Sequence, residues 1–183
     1  RLDPPRLRIG YLARTLHGAP VDAEIAAATE DAARLCASLG HEVEEAAPEF
    51  DFEAVRNGFA TVFAANCMAN IARATGGGLP ADDVIEPLTR AVAERGRAMA
   101  AADYILQLQA LHRESRRIAR FFQRYDIWLT PTLALLPPPI GHFDVNGSDV
   151  DAWLEKLLAF TPFAFLFNVT GQPAMSVPLA QSR

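Results

Sequence analysis

Residues 7–46 constrain the fold more than any other stretch. LRIGYLA at 7–13 is a short apolar run behind two prolines and reads as a buried strand. A loop with Gly18 and Pro20 follows, and Asp22 then offers a good helix N-cap. Ile25, Ala28, Ala32, Leu35 and Leu39 recur at helical spacing until Gly40 stops the helix. HEVEEA at 41–46 reads as a second, more exposed strand, expected near a sheet edge. A strand–helix–strand unit of this kind lays its two strands parallel through a right-handed crossover. The turn after the first strand holds neither G-x-G-x-x-G nor GK[ST], so the crossover is read as structural and not as a nucleotide site.

The rest of the chain supplies long helices and two more strand-like runs. Residues 52–74 form a helix with Phe52, Val55, Phe59, Val62, Phe63, Met68 and Ile71 spread round nearly every face, which predicts burial. Asn66 and Asn70 lie one turn apart on it with Cys67 between them. Buried amides need partners. Either the two amides bond to neighbouring backbone, or Asn66, Asn70 and Cys67 face a pocket; the residues alone leave both open. Gly76-Gly77-Gly78 follows a helix instead of preceding one, so the dipole faces the wrong way for an anion.

Residues 82–95 predict a helix interrupted near Pro87, and residues 101–123 another, with Tyr104, Leu108, Leu111, Ser115, Ile118 and Phe122 on one stripe. Its arginines, Arg113, Arg116, Arg117, Arg120 and Arg124, read as a solvated or ion-pairing face. YDIWLTPT at 125–132 is a third strand running into a proline stop. A proline-rich loop spans 133–146, and an amphipathic helix spans 149–159. The stretch 160–179, FTPFAFLFNVTGQPAMSVPL, comes last. Phe160, Phe163, Phe165 and Phe167 belong in a core, residues 168–173 predict a polar turn laid against something other than bulk water, and residues 174–179 predict a fourth strand. The expected fold is α/β: a mostly parallel or mixed sheet of about four strands covered by long helices.

Composition closes off several function classes. The net charge is −5, from 17 basic and 22 acidic residues, which argues against a nucleic-acid surface. No uncharged apolar run is long enough to span a bilayer, and no signal-like segment opens the sequence, so a cytoplasmic location is expected. Asn146-Gly147-Ser148 and Asn168-Val169-Thr170 are then incidental as glycosylation patterns, which need a secretory route. Cys36 and Cys67 make neither a disulfide framework nor a metal spacing, and no metal or cofactor is expected. Ser38, Ser115, Ser148, Ser176 and Ser182 stand in no G-x-S-x-G or S-x-x-K context and have no visible base.

Three stretches, in order, resemble the amidase signature hydrolases. These are LRIGYL with its helix and LGHEVEEAAPEF, then YDIWLTPTLALLPPPIG, then FTPFAFLFNVTGQPAMSVPL. The intervening EPLTRAVAERGRAMAAADY is similar to the branch that includes the 6-aminohexanoate cyclic dimer hydrolases. The resemblance implies hydrolysis of carboxylic amide C–N bonds by a Ser, cis-Ser, Lys triad carried on a Gly/Ser-rich signature. No such signature occurs here, and Lys156 in AWLEKLL is in the wrong context for the base. The expectation is therefore that residues 1–183 are a single domain, the C-terminal portion of a larger amidase domain whose catalytic half is absent, and inactive alone.

The resemblance further implies that this portion walls a substrate cleft. Asn168, Thr170 and Gly171 would lie near the reacting amide, and Cys67 and Asn66 would line the acyl side. Phe163, Phe167 and Trp128 would suit an apolar or aliphatic amide. No acid or arginine lies within 160–172, which argues against the family's tRNA-linked acidic substrates. The expected partners are a small-molecule amide and, through a face left exposed by truncation, a second copy; neither nucleic acid nor membrane is expected. The alternative from another class is a catalytically inactive α/β binding or interaction module diverged from amidases.

Overall fold

The computed structural model describes residues 5–182. The elements in chain order are β1 (Arg8–Tyr11), α1 (Ala23–Ser38), β2 (Glu42–Glu45), α2 (Phe52–Thr75), α3 (Pro87–Ala98), α4 (Ala101–Phe121), β3 (Ile127–Leu129), α5 (Val150–Phe160) and α6 (Ala164–Thr170). The residues cluster into two compact units. One comprises Arg1–Phe52, Glu114–Pro138 and Ala159–Arg183; the other comprises Glu53–Arg113 and Pro139–Leu158.

The first unit is built on a parallel sheet of order β2-β1-β3. β1 is central and pairs on both sides, Ile9 with Val43 and with Ile127, Tyr11 with Glu45 and with Leu129. The ladders continue past the strand ends: the Leu12 N–H donates to Leu129 O (3.0 Å), and the Asp126 N–H to Arg8 O (2.8 Å). The Asp22 carboxylate caps α1 by accepting from the Glu24 N–H at 2.8 Å, and Gly40 (φ 93°) turns the chain into β2. β2 lies at an edge, as its charged sequence predicts. Glu42, Glu44 and Glu45 pair with Arg6, Arg124 and Arg14, which blunts the edge against further pairing. The large buried apolar residues of this unit include Ile9, Leu12, Ile118, Phe121, Tyr125, Trp128, Phe163, Phe165 and Leu166.

The second unit packs helices on a core of Ala64, Leu88, Val92, Val150 and Leu154, with Phe59, Cys67, Met99 and Trp153 against it. Pro87 at the first helical position starts α3 where the sequence predicts only an interruption, because its missing N–H has no intrahelical partner to lose there. Gly96 lets α3 touch α2 backbone to backbone: a Cβ at this position would sit 2.2 Å from Ala64 O.

Three expectations need correction. α2 is not buried on all faces: its buried residues are Val55, Gly58 and Ala64, and Phe63 is exposed. Of the large apolar residues spread round it, Phe52, Phe59, Val62, Met68 and Ile71 are only half-buried. Phe163 and Phe165 are buried as expected, but residues 160–171 are largely helical and not an extended run ending in a turn at 168. They end α5 and form α6, and Gly171 in the left-handed region (φ 69°) closes α6 by donating its N–H to Phe167 O at 2.9 Å. The fourth strand at 174–179 does not form: the segment is exposed and lacks regular structure, so among the described residues the sheet has three strands, all parallel.

The contact at Gly96 yields a ranking of two substitutions. Alanine would add helix propensity worth about 1 kcal/mol at either Gly58 or Gly96. At Gly58 the obstruction is the Leu111 side chain, which can turn aside; at Gly96 it is the Ala64 carbonyl, which cannot. Overpacking of this kind costs about 1–3 kcal/mol. Gly96→Ala is expected to lower Tm by more than Gly58→Ala does, measured by thermal unfolding followed by circular dichroism; the reverse order would contradict the backbone contact.

Candidate functional site

Six of the eight residues singled out in the sequence lie in the first unit. Trp128 is in β3 and buried. Its indole sits 5.8 Å from the Phe167 ring and 6.0 Å from Phe121. The structure thus joins two residues 39 positions apart, one on the sheet and one on α6. Trp128 Nε1 is buried with no hydrogen-bond partner. Burial of a tryptophan hides about 150–250 Å², worth about 4–6 kcal/mol at about 25 cal/mol per Å². An unmade hydrogen bond costs about 1–3 kcal/mol, so the indole stays where it is.

Phe163 precedes α6 and is buried, whereas Phe167 is half-buried. Asn168 is exposed on the last turn of α6. Thr170 ends the helix and donates its hydroxyl to Gln172 Oε1 at 3.1 Å; Gly171 is the exposed cap. The polar residues of the expected turn therefore lie at a helix C-terminus, on one short element with the aromatics that hold it to the sheet. Just beyond, Ser176 Oγ lies 2.9 Å from Thr132 Oγ1, which ties the residues after α6 to the threonine-proline segment after β3.

Asn66 and Cys67 lie in the second unit. Asn66 is exposed, so of its two readings the buried amide bonded to backbone is not what the structure shows. Cys67 is half-buried against the helical core, and its thiol points to Thr89 O at 3.7 Å. Burial pushes the Cys67 thiol up from its ordinary pKa. A thiol that resists ionisation is a poor nucleophile. No group of three or more His, Cys, Asp or Glu residues among the described residues could hold a metal ion.

Sequence reasoning missed Glu114. It is buried, accepts the Asp51 N–H at 2.9 Å just before α2, and pairs with Arg117 one turn along α4 at 3.1 Å. The Glu114-x-x-Arg117 spacing on the apolar stripe with Leu111 and Ile118 was the available signal. The arginine-rich face is accordingly in part an ion-pairing face, with Arg124 on Glu44 as a second case.

The family model described as Amidase matches residues 2–183. The chain belongs to the Amidase family. It is 31% identical over 198 residues to the 6-aminohexanoate-cyclic-dimer hydrolase of Paenarthrobacter ureafaciens, covering 98% of this chain and 38% of that protein. A shorter match, 44% identical over 75 residues, is to the Putative amidase AmiC of Mycobacterium leprae (strain TN), covering 41% of this chain and 16% of that protein. Among solved structures, a 6-aminohexanoate cyclic dimer hydrolase superposes with a TM-score of 0.81 at 27% identity, over 99% of this chain and 40% of that one. A bacterial aryl acylamidase of the amidase signature family shares the fold, with a TM-score of 0.67 at 20% identity over 91% of this chain and 35% of that one.

The α/β amidase-signature fold and the branch inferred from the sequence both hold. The chain spans about two fifths of the length of the hydrolases it matches end to end. No helix among the described residues is long and apolar enough to cross a membrane.

The thiol geometry of this Amidase-family chain can be tested by labelling. In a Cys36→Ser variant, Cys67 is expected to react with a disulfide reagent more slowly than a free thiol. Because its pKa is raised, its rate should keep climbing with pH after that of the free thiol has levelled. A rate equal to or above the free thiol's at neutral pH would show that Cys67 is not held in an apolar setting.

Proposed function

We propose that this chain is the C-terminal portion of an amidase that hydrolyses carboxylic amide C–N bonds by acyl transfer to a serine, with water as the second nucleophile. The observation that carries the reading is similarity over nearly the whole chain to a 6-aminohexanoate-cyclic-dimer hydrolase, in sequence and in fold. In this reading the nucleophilic Ser, the cis-Ser and the Lys base lie on polypeptide outside this chain. The serines present support that assignment: Ser38 Oγ donates to Leu35 O on its own helix, and Ser176 faces a threonine, not a base. Lys156 is on the amphipathic helix α5, in a charge environment shared with Asp144.

The chain's own part is to wall the substrate cleft. Phe167, half-buried and backed by the buried Trp128 and Phe163, offers an apolar contact suited to an aliphatic acyl chain. Asn168, Thr170 and Gly171 lie near the reacting amide as polar supports. The substrate is a small amide; the site of action is the cytoplasm, and no cofactor takes part.

The purified 183-residue chain is expected to show no turnover of acyl 4-nitroanilides above the buffer rate. Turnover abolished by replacing one of Ser38, Ser115, Ser148, Ser176 or Ser182 with alanine would overturn the placement of the nucleophile outside this chain. In a longer polypeptide that carries the triad, Phe167→Ala is expected to raise KM for aliphatic amides more than it lowers kcat, since it removes binding surface and no reacting group. An unchanged KM would remove Phe167 from the cleft.

A further inference from the structure

The sequence holds two Asn-Gly dipeptides, and the structure treats them in opposite ways. Asn57-Gly58 lies inside α2, where the Gly58 N–H belongs to the helical ladder and the residue is buried against Leu111. Asn146-Gly147 lies in the exposed loop before α5. A side chain at Gly147 would meet nothing within 4 Å, and its N–H makes no hydrogen bond among the described residues. The Asn146 N–H and Nδ2 both donate to Asp144 Oδ1, at 3.0 and 2.8 Å. These bonds hold the Asp144 carboxyl below the usual carboxylate range, with the Lys156 charge adding to the effect.

The turn stands between two anchors. On one side Val145 packs on the core of the second unit, and its carbonyl accepts the Leu88 N–H at 3.0 Å, one of the donors that the first turn of α3 leaves without a helical partner. On the other side Asp149 Oδ1 accepts the Ala152 N–H at 3.0 Å and caps α5. Asn146, Gly147 and Ser148 between them are exposed.

We infer that Asn146 is a site of spontaneous deamidation, and that its conversion loosens the turn joining the starts of α3 and α5. The Gly147 backbone nitrogen gives up its proton to solvent and attacks Asn146 Cγ. The new N–Cγ bond forms as the Cγ–Nδ2 bond breaks, and the leaving nitrogen takes a proton and departs as ammonia. Water then opens the cyclic imide at either carbonyl, giving aspartate or isoaspartate. The net change is water in and ammonia out, with no oxidant or reductant. Gly147 allows ring closure because it has no side chain and no neighbour to obstruct rotation. Gly58 forbids it, because its nitrogen is committed to the helix.

The product costs the turn its geometry. The Nδ2 donor to Asp144 is lost and a second carboxylate stands beside the first, with Asp149 close in sequence and Lys156 the cation acting on Asp144. The isoaspartyl form also lengthens the main chain between the Val145 and Asp149 anchors.

The test is to hold the 183-residue chain at mildly alkaline pH and physiological temperature and to map peptides for aspartate and isoaspartate. Conversion is expected at Asn146 with release of ammonia, while Asn57 stays intact. Asn146→Gln and Gly147→Val are expected to abolish it. Asn146→Asp, measured by amide hydrogen exchange, is expected to speed exchange at Leu88 and Ala152. No conversion at Asn146, or equal conversion at Asn57, would overturn the site; unchanged exchange at Leu88 and Ala152 in Asn146→Asp would overturn the loosening.

Discussion

β1 is the strand on which the first unit depends. It is four residues long and hydrogen-bonded on both sides, and its neighbours come from distant parts of the chain. β2 arrives after one helix, but β3 arrives only after the chain has left the first unit at Phe52 and returned at Glu114. A short parallel ladder closed over that separation has little local help and must be held by side chains. Those side chains are aromatic. Phe121, at the end of α4, is packed so close to β1 that a Cβ on Gly10 would meet its ring at 2.6 Å. Tyr125 stacks on Phe121 at 4.4 Å, and Trp128 continues the cluster to Phe167. The sheet and α6 therefore share one aromatic core, and the candidate site residues on α6 inherit their position from it.

What the sequence made legible was local. Asp22 and Gly40 bracket α1 by capping chemistry that needs no tertiary context, and the charges of HEVEEA announce an edge. Gly171 carried the same kind of signal for α6, but four phenylalanines ahead of it read as core and Asn168 and Thr170 read as turn, so the helix between them went unseen. The aromatic residues do reach the core, and they do so from a helix whose propensity is modest and whose tertiary packing decides its form. α2 failed in the other direction. Large apolar residues stand on nearly every face of it, yet its fully buried residues are Val55, Gly58 and Ala64.

The candidate site was legible through ordered motifs rather than through chemistry. In the sequence no serine stands beside a visible base, so only the spacing of three segments pointed to an amidase, and the family match over residues 2–183 agrees. Single residues were less legible. Asn66 was read beside Cys67 because they are adjacent, but adjacency on a helix turns side chains about 100° apart. Cys67 goes to the core and Asn66 to solvent. Glu114 was missed although its Arg117 partner is local, because its other partner, the Asp51 backbone N–H, lies 63 positions away.

Residues 174–179 show why a strand is a relational object. Ala174, Met175, Val177 and Leu179 make an apolar, β-compatible run, and the sequence pattern was sound on its own terms. A helix satisfies its own backbone, but a strand needs a neighbour to supply its hydrogen bonds and a face to bury its side chains. Here Met175 is 85% exposed and Leu179 57%, and Ser176 meets Thr132 through a hydroxyl contact just after β3. At about 25 cal/mol per Å², apolar side chains left in water contribute nothing to folding. The same residues laid on a surface would contribute several kcal/mol in total. The residues suit a strand, but no strand among the described residues pairs with them, and an extended run without a ladder partner gains neither the backbone hydrogen bonds nor the buried face that would define it.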